Sequence, residues 1–573
     1  MKILFYSLNA AIWPHALPEN RLVKELVQAG HDVTYVTCGS SFKSHCASRL
    51  AHGISLAADQ KEKDRVCLTC NRNAAILAQS NRARSLRLSD HITPEDIEKA
   101  ASLTAQVDRA SYSKFEWMGV QVGKLASYEL LLTFKKMSEA LNDHEWSYWQ
   151  AYIENSLLSL SGFARIYDEI KPQMVFMYSP QYGMNGVCAS YAENQGSRVF
   201  FIEGSASNSE RYEALRIWDW STHGLVNPAL SYWRLASRLS SSEIKRVGSH
   251  FRELLRGKSF AVYSQPLSGR RLSLREFFGI APETKVILLT LSSFDEAYAA
   301  WWIGRFPDSK VRSDVFNDQF DWVRQTIAAM SSRDDVVLVI RVHPRDFPNK
   351  REAVQSEQAQ IWMDMFASAP ANVRINWPSD QISLYDVLRE VDVVVTGWSA
   401  TGVEALALGI PVVTYDQNLP SYPADVHLTG RSSAKYFANI DRALAGGRGA
   451  RRAADAFRWL GLSFSRGVIR ITPPVQWEKW LRVLIHRGLR RRVYSMLEGL
   501  LKRIDAARPF GMATEATRFR NLVSQQRKNL FELDPVESVG NAEGGRAAAA
   551  AQSEAVRYMT AIGLAPLREP SNG

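Results

Sequence analysis

The sequence predicts an α/β protein: two Rossmann-like lobes, with a helical, cysteine-containing insertion in the first lobe and a helical C-terminal tail. Three observations lead there. The chain has 573 residues, too many for one hydrophobic core. It opens with a strand-helix-strand unit. A second series of apolar strands, each running into a polar loop, begins near residue 285.

The run KILFYS (2–7) reads as a buried strand, followed by a loop over 8–18 with two prolines. ENRLVKELVQAG (19–30) then places Leu22, Val23, Leu26 and Val27 on one helical face, with Gly30 as the stop. HDVTYVTC (31–38) is the next strand. Regular alternation lapses over 39–92, and 93–170 reads as mostly helical, with Thr93, Pro94, Glu95 and Asp96 as a helix start. Strands resume at QMVFMYS (173–179) and SRVFFIEG (197–204), around a helix at 184–195. In the second lobe KVILLTLSS (285–293), DVVLVIRVHP (335–344) and VDVVVTGWS (391–399) repeat one design. The helix TGVEALALG (401–409) then leads into IPVVTYD (410–416).

The expected units are a first lobe over 1–215 with the insertion at 39–170, a linker region over 216–280, a second lobe over 281–440, and a basic helical tail over 441–573. Residues 536–556 are low in complexity and read as disordered or a loose helix.

Hydrophobic content of 46% and charged content of 23% are ordinary for a globular protein. No run of 18 apolar residues predicts a membrane-spanning helix, and the short first apolar run reads as a strand rather than a signal peptide, which implies a cytoplasmic protein. A net charge of +11 suits an anionic substrate, a membrane surface or a nucleic acid. No nucleic-acid-binding motif accompanies it, so no nucleic acid partner is expected.

Four of the five cysteines, Cys38, Cys46, Cys67 and Cys70, fall within 33 residues as C-x7-C-x20-C-x2-C. This spacing suits a structural zinc knuckle over 38–70, with an iron–sulfur cluster as the alternative. Four thiolates fill the metal's shell, so the ion would have no catalytic role. Cys188, within GVCASYAE, reads as a small buried hydrophobe.

Two segments carry the chemistry. In WSATGVEALALGIPVVTYD (398–416), Ser399 and Thr401 stand between an apolar strand and a helix, where hydroxyls and backbone amides suit a phosphate. Gly402 permits close backbone approach, and the Glu404 carboxylate can accept both hydroxyls of a ribose. The same residues also fit an ordinary helix cap. In IRVHPRDFP (340–348), Arg341, His343 and Arg345 cluster at a strand end, able to bind a phosphate or nucleotide and stabilise a leaving phosphate. His343 also fits a structural histidine. Ser292, Ser293, Asp295 and Glu296 follow the strand at 285–293; Asp295 either meets substrate or caps the next helix.

The His-Pro dipeptide at 343–344 and the Ser-Ala-Thr loop at 399–401 resemble the donor motifs of two-lobed (GT-B type) bacterial capsule and surface-polysaccharide glycosyltransferases. They also resemble those of teichoic acid glycerophosphotransferases. The resemblance covers 285–420 and, more loosely, the first 40 residues. It implies a nucleotide-sugar donor in the second lobe, with His343 on the donor phosphate and Ser399 and Thr401 on the phosphate or nucleotide. A glycan or lipid-linked acceptor would meet the first lobe. Glu203, in FIEGS, resembles the acidic residue before glycine that is the base in sialic-acid-type transferases; Ile202 stands where that motif usually has a second acid. His15, in the first loop with Glu19, is the other candidate base. No Asp-x-Asp metal motif stands at a strand end, so no catalytic metal is required.

The competing readings are a CDP-glycerol-type phosphotransferase, a nucleotide-sugar 2-epimerase and a non-catalytic glycan-binding or assembly protein. The segment 481–503 holds seven Lys and Arg beside a leucine-rich face. It reads either as a solvated helix on the second lobe or as a helix touching the cytoplasmic face of the inner membrane.

Overall fold

The computed structural model describes residues 1–221, 224–233, 239–257, 263–267, 272–349, 353–473, 475, 477, 491–533, 541–561 and 563–564. Residues 481–490 of the basic segment and 536–540 of the low-complexity stretch lie outside them.

Each apolar run read as a strand is buried on both faces, which is what a parallel sheet between two helical layers demands. The first lobe contains β1 (Lys2–Tyr6), β2 (Asp32–Thr37), β3 (Arg84–Arg87), β4 (Met174–Tyr178), β5 (Arg198–Gly204) and β6 (Ala214–Asp219). The second contains β7 (Lys285–Thr290), β8 (Val336–Arg341), β9 (Val373–Asn376), β10 (Val393–Thr396), β11 (Val412–Thr414) and β12 (Leu428–Thr429). Its strand order, β12-β11-β10-β7-β8-β9, is parallel throughout. This is the doubly wound order that reverses between the first and fourth strands. In the first lobe β3-β2-β1-β4-β5 repeats that order, and β6 joins antiparallel to β5. Two Rossmann-like lobes are therefore what the structure shows.

The first helix starts earlier than its periodicity suggests. It spans Trp13–Gln28, with Pro14 at its first turn and Pro18 inside it. Pro14 falls in the first turn, where its missing N–H has no helical partner to lose, and Pro18 forgoes one bond inside the helix without stopping it. As a result His15 sits on a helix rather than in a loop. The start at Thr93 is as expected: its side chain and that of Asp96 form a reciprocal capping box.

The chain after 441 is shared between the lobes rather than appended to one. Short β13 (Ile469–Arg470) pairs antiparallel with β6 and extends the first sheet. The helices Arg491–Ala507 and Ala513–Ser524 pack on the first lobe, where Asp505 pairs with buried Arg21 and Phe519 meets Phe176. The described part of the segment expected on the second lobe, 491–503, thus lies on the first. The last helix, Asn541–Ala561, returns to the second lobe and buries Ala551, Ala555, Tyr558 and Met559 in its core. The low-complexity stretch is therefore helical from 541, and Ala551 and Ala555 are small enough to pack closely in the second core. The region 216–280 is likewise divided, β6 belonging to the first sheet and the helix Ser241–Arg256 to the second core.

Candidate functional site

The carboxyl ends of β7, β8 and β10 open into one cavity of about 630 Å³ at the second sheet's switch point. Thr290, Ser292 and Ser293 come from β7 and the loop after it, and Arg341, His343 and Pro344 from β8. Trp398, Ser399, Thr401 and Glu404 come from β10 and the helix Thr401–Ala407. Arg211 and Arg216 of the first lobe line the same cavity, so it lies between the lobes.

Of the proposed donor residues, Arg341, His343, Ser399, Thr401 and Glu404 line this cavity together. Arg341 is fixed by donating to the Asn376 side chain and the Ile382 carbonyl, and burial pushes its pKa down to about 10, which leaves it charged. Burial pushes His343 down to about 4, helped by Arg345, Arg341 and Lys135 against the pull of Asp295. Its Nδ1 accepts from the Arg345 backbone N–H at 3.2 Å. A neutral imidazole that accepts at Nδ1 carries its proton on Nε2, so His343 can offer one N–H donor. Ser399 Oγ donates to Thr401 Oγ1 at 3.1 Å and accepts from the Thr401 N–H at 3.2 Å, pre-ordering the two hydroxyls. Glu404 accepts from Tyr385 Oη at 3.2 Å, and burial raises its pKa to about 7 despite that bond and the nearby Arg341.

Three other predictions turn out differently in space. Arg345 does not line the cavity: it is buried and forms a salt bridge with Asp295 at 2.7 Å. Asp295 is itself fully buried, so this pair braces the loop behind His343 instead of meeting substrate. Gly402 does not make room for a ligand, because a Cβ there would fall 1.8 Å from the Tyr422 hydroxyl. The glycine is needed by Tyr422, which packs against it and lines the cavity.

In the first lobe, the two candidate bases share one neighbourhood. The His15 ring stacks on Tyr178 at 4.5 Å and lies 5.8 Å from Tyr212. Tyr178 Oη accepts from the Gly204 N–H at 3.0 Å, beside Glu203. Glu203 is paired across the strands with Arg216, its register partner on β6. Burial, then Arg211, holds the His15 pKa down at about 4. Glu19 lies inside the lobe rather than at this edge: Ser7 donates to it, and burial raises it to about 8, so it is a neutral acid.

The four clustered cysteines lie close enough to influence one another in every pairing. Cys38 follows β2, Cys46 precedes the helix Ala47–Ala51, and Cys67 and Cys70 are one turn apart on the helix Gln60–Asn81. All are free thiols. Among the described residues, no three His, Cys, Asp or Glu side chains form a ready metal ligand set. Burial pushes Cys38 and Cys46 up to about 12 and Cys70 to about 11.

No protein-family model and no curated protein matches this sequence. Among solved structures, a spinosyn rhamnosyltransferase is 12% identical, with 81% of this chain and 96% of that one covered at a TM-score of 0.26. The UDP-GlcNAc 2-epimerase of Neisseria meningitidis is 11% identical, covering 80% and 96%, at 0.25. A β-Kdo 2,4-transferase, KpsC of Thermosulfurimonas dismutans, is 10% identical, covering 50% and 79%, at 0.28. Likenesses this distant carry no argument about chemistry, and the two-lobe assignment rests on the strand orders.

Sequence reasoning missed the aromatic side of the cavity. Tyr385, Trp398 and Tyr422 line it, as does Lys310, whose Nζ donates to the carbonyls of Asn418 and Pro420. Four polar atoms of lining residues, Thr290 Oγ1, Ser292 Oγ, Trp398 Nε1 and Tyr422 Oη, are buried without a protein partner. Native proteins rarely leave buried polar atoms unsatisfied unless a ligand or water completes them. The signal available in the sequence was the position of Thr290 and Trp398 at strand ends; Tyr385 and Tyr422 arrive from distant segments.

Proposed function

We propose that the chain is a nucleotide-sugar-dependent glycosyltransferase that adds a sugar to a bacterial surface polysaccharide or lipid-linked glycan. The observation that supports it best is the inter-lobe cavity, which Arg341, His343, Ser399, Thr401 and Glu404 line together. In this reading the donor phosphates take Arg341, the His343 Nε2–H and the two hydroxyls, and the ribose takes Glu404. The acceptor hydroxyl attacks the anomeric carbon, the bond to the phosphate oxygen breaks, and the negative charge passes onto the nucleotide, where Arg341 and His343 stabilise it.

The acceptor proton goes to Glu203 or His15. His15 is neutral at physiological pH and so free to accept, but at about 4 it is a weak base. Arg211, which lines the cavity, is its second depressing influence. An anionic substrate that engages Arg211 would relieve part of that and make His15 a better base.

A thermal-shift panel with CMP, CDP, UDP, GDP and dTDP tests the donor assignment. A nucleotide at one hundred times its Kd stabilises by about 2.7 kcal/mol. The expected result is a shift with one nucleotide class that is lost in His343→Ala and weakened in Glu404→Ala. No shift with any of them would remove the transferase reading in favour of a glycan-binding protein. Release of glycerol phosphate rather than sugar from a CDP-linked donor would replace it with the phosphotransferase.

A further inference from the structure

Exposed apolar side chains are concentrated in one part of this molecule. Among the described residues, thirteen large hydrophobic side chains are exposed, and six lie between 475 and 512: Val475, Val493, Met496, Leu500, Ile504 and Met512. Four belong to one helix, Arg491–Ala507. Val493 is 37% exposed, Met496 68%, Leu500 54% and Ile504 52%. Their spacing of three, four and four residues puts them on a single helical face.

The opposite face is anchored. Lys502, Asp505 and Ala506 are buried; Asp505 pairs with Arg21 at 3.3 Å, Lys502 Nζ donates to Asn73 at 3.0 Å, and Lys24 Nζ donates to the Ala507 carbonyl at 3.1 Å. The helix is thus seated on the first lobe with its outward stripe exposed among the described residues. Val475 lies at its C-terminal end, since its backbone N–H donates to Asp505 at 3.3 Å. A stripe of this kind is not explained by scatter, because isolated exposed apolar residues are normal but an aligned row marks a contact.

The charge of the sequence that carries the stripe decides between occupants. From 479 to 503 the sequence carries eight Lys and Arg and one acidic residue, Glu498. Arg491 and Arg492 open the helix, and exposed Arg503 adjoins Ile504. Joining two copies through this face would bring like charges together. An anionic bilayer offers both an apolar interior boundary for the stripe and negative headgroups for the arginines, and peripheral binding is stable when both signals act together.

We propose that the outward face of the helix Arg491–Ala507, with Met496 and Leu500 at its centre, docks the first lobe on an anionic membrane surface. This deepens the proposed function and rests on it in one respect: the docked lobe is the one that would receive a lipid-linked acceptor. Among the described residues no helix is long and apolar enough to cross a membrane, so the contact is peripheral.

The test is co-sedimentation of the full chain with phosphatidylcholine vesicles, with and without about one third phosphatidylglycerol. Wild-type protein should pellet with the anionic vesicles roughly tenfold more than with the neutral ones, and added salt should release it. The double substitution Met496→Asp with Leu500→Asp should abolish pelleting while leaving the thermal midpoint unchanged, because both side chains are exposed. Arg503→Glu, a second variant, should weaken binding and its salt dependence. Equal pelleting by the double variant, or none by wild type, would overturn the proposal. So would a wild-type dimer in solution that the double variant converts to monomer, since the stripe would then bind a second copy. Nucleotide shifts are read without vesicles, so membrane binding by a chain that binds no nucleotide would leave the docking intact and sink the donor reading alone.

Discussion

Glu19 is carried by the first helix into the core of the first lobe, where its only described hydrogen bond comes from Ser7. A lone carboxylate would be costly there, so it keeps its proton up to about pH 8. Glu404 and Asp346 do the same up to about 7, both through burial. In the unfolded chain all three lose their protons near the ordinary carboxyl values of 4.5 and 3.8. Between about pH 6.5 and 8 the folded state therefore binds more protons than the unfolded one, and stability must fall as pH rises. The buried histidines His15, His250, His343 and His427, held down at about 3 to 4, oppose this near their ordinary 6.5, where unfolded imidazoles are half protonated, so the fall is clearest above about pH 7. The urea midpoint of wild type should drop from pH 7 to 8, and Glu19→Gln should flatten that drop. A midpoint that is level or rises across this window would contradict the buried neutral acids. None of this was visible in the sequence, where Glu19 opens the helical run 19–30 and reads as a companion of His15 beside the first loop.

At the scale of elements, legibility followed periodicity. The strands at 2–7, 285–293 and 391–399 were plain because runs of Val, Ile and Leu have few alternative uses. The motif loops were equally plain, since a polar residue directly after a buried strand emerges at the carboxyl edge of the sheet. What those loops do was less so. Gly402 reads as space for a ligand, yet Tyr422, twenty residues on, uses that space. Asp295 and Arg345, fifty residues apart, neutralise each other in a pair no local pattern announces. The cysteine-bearing elements pose the same question. β2, a short helix and the helix Gln60–Asn81 bring four thiols into one neighbourhood, while their described arrangement is not a ready ligand set. Metal analysis of the purified chain decides the matter. The structural zinc requires about one zinc per chain, lost in Cys70→Ser together with stability. Zinc-free protein of unchanged stability would leave a cluster of free thiols, of which buried Cys70 is alkylated only on unfolding.

The whole molecule is closed by its tail. β13 extends the first sheet, two helices cover that lobe, and the last helix crosses back to the second. There Tyr558 stacks on Phe251 at 4.2 Å and lies near Tyr385, the partner of Glu404. A chain ending at 540 loses Tyr558, Met559 and two buried alanines from the second core. At ~1.5–3 kcal/mol per large side chain the loss is on the order of 5 kcal/mol. That lowers Tm by about 10 °C or more. The nucleotide-induced shift should shrink as well, because Tyr385 loses its packing. A truncated chain with the wild-type Tm would show that the last helix is not part of the second lobe.

By itself the sequence determined the fold class, the carboxyl-edge positions of Arg341, His343, Ser399, Thr401 and Glu404, and the basic, apolar character of the tail. These depend on short-range patterning, which strand and helix periodicity fix locally. Only the tertiary structure decided which residues share the cavity, that Arg345 is occupied by Asp295, that Glu203 is paired with Arg216, and that the tail binds both lobes. Those outcomes depend on contacts between residues tens to hundreds of positions apart, and burial, which sets both the pKa values and the free polar atoms, exists only once the lobes have closed around them.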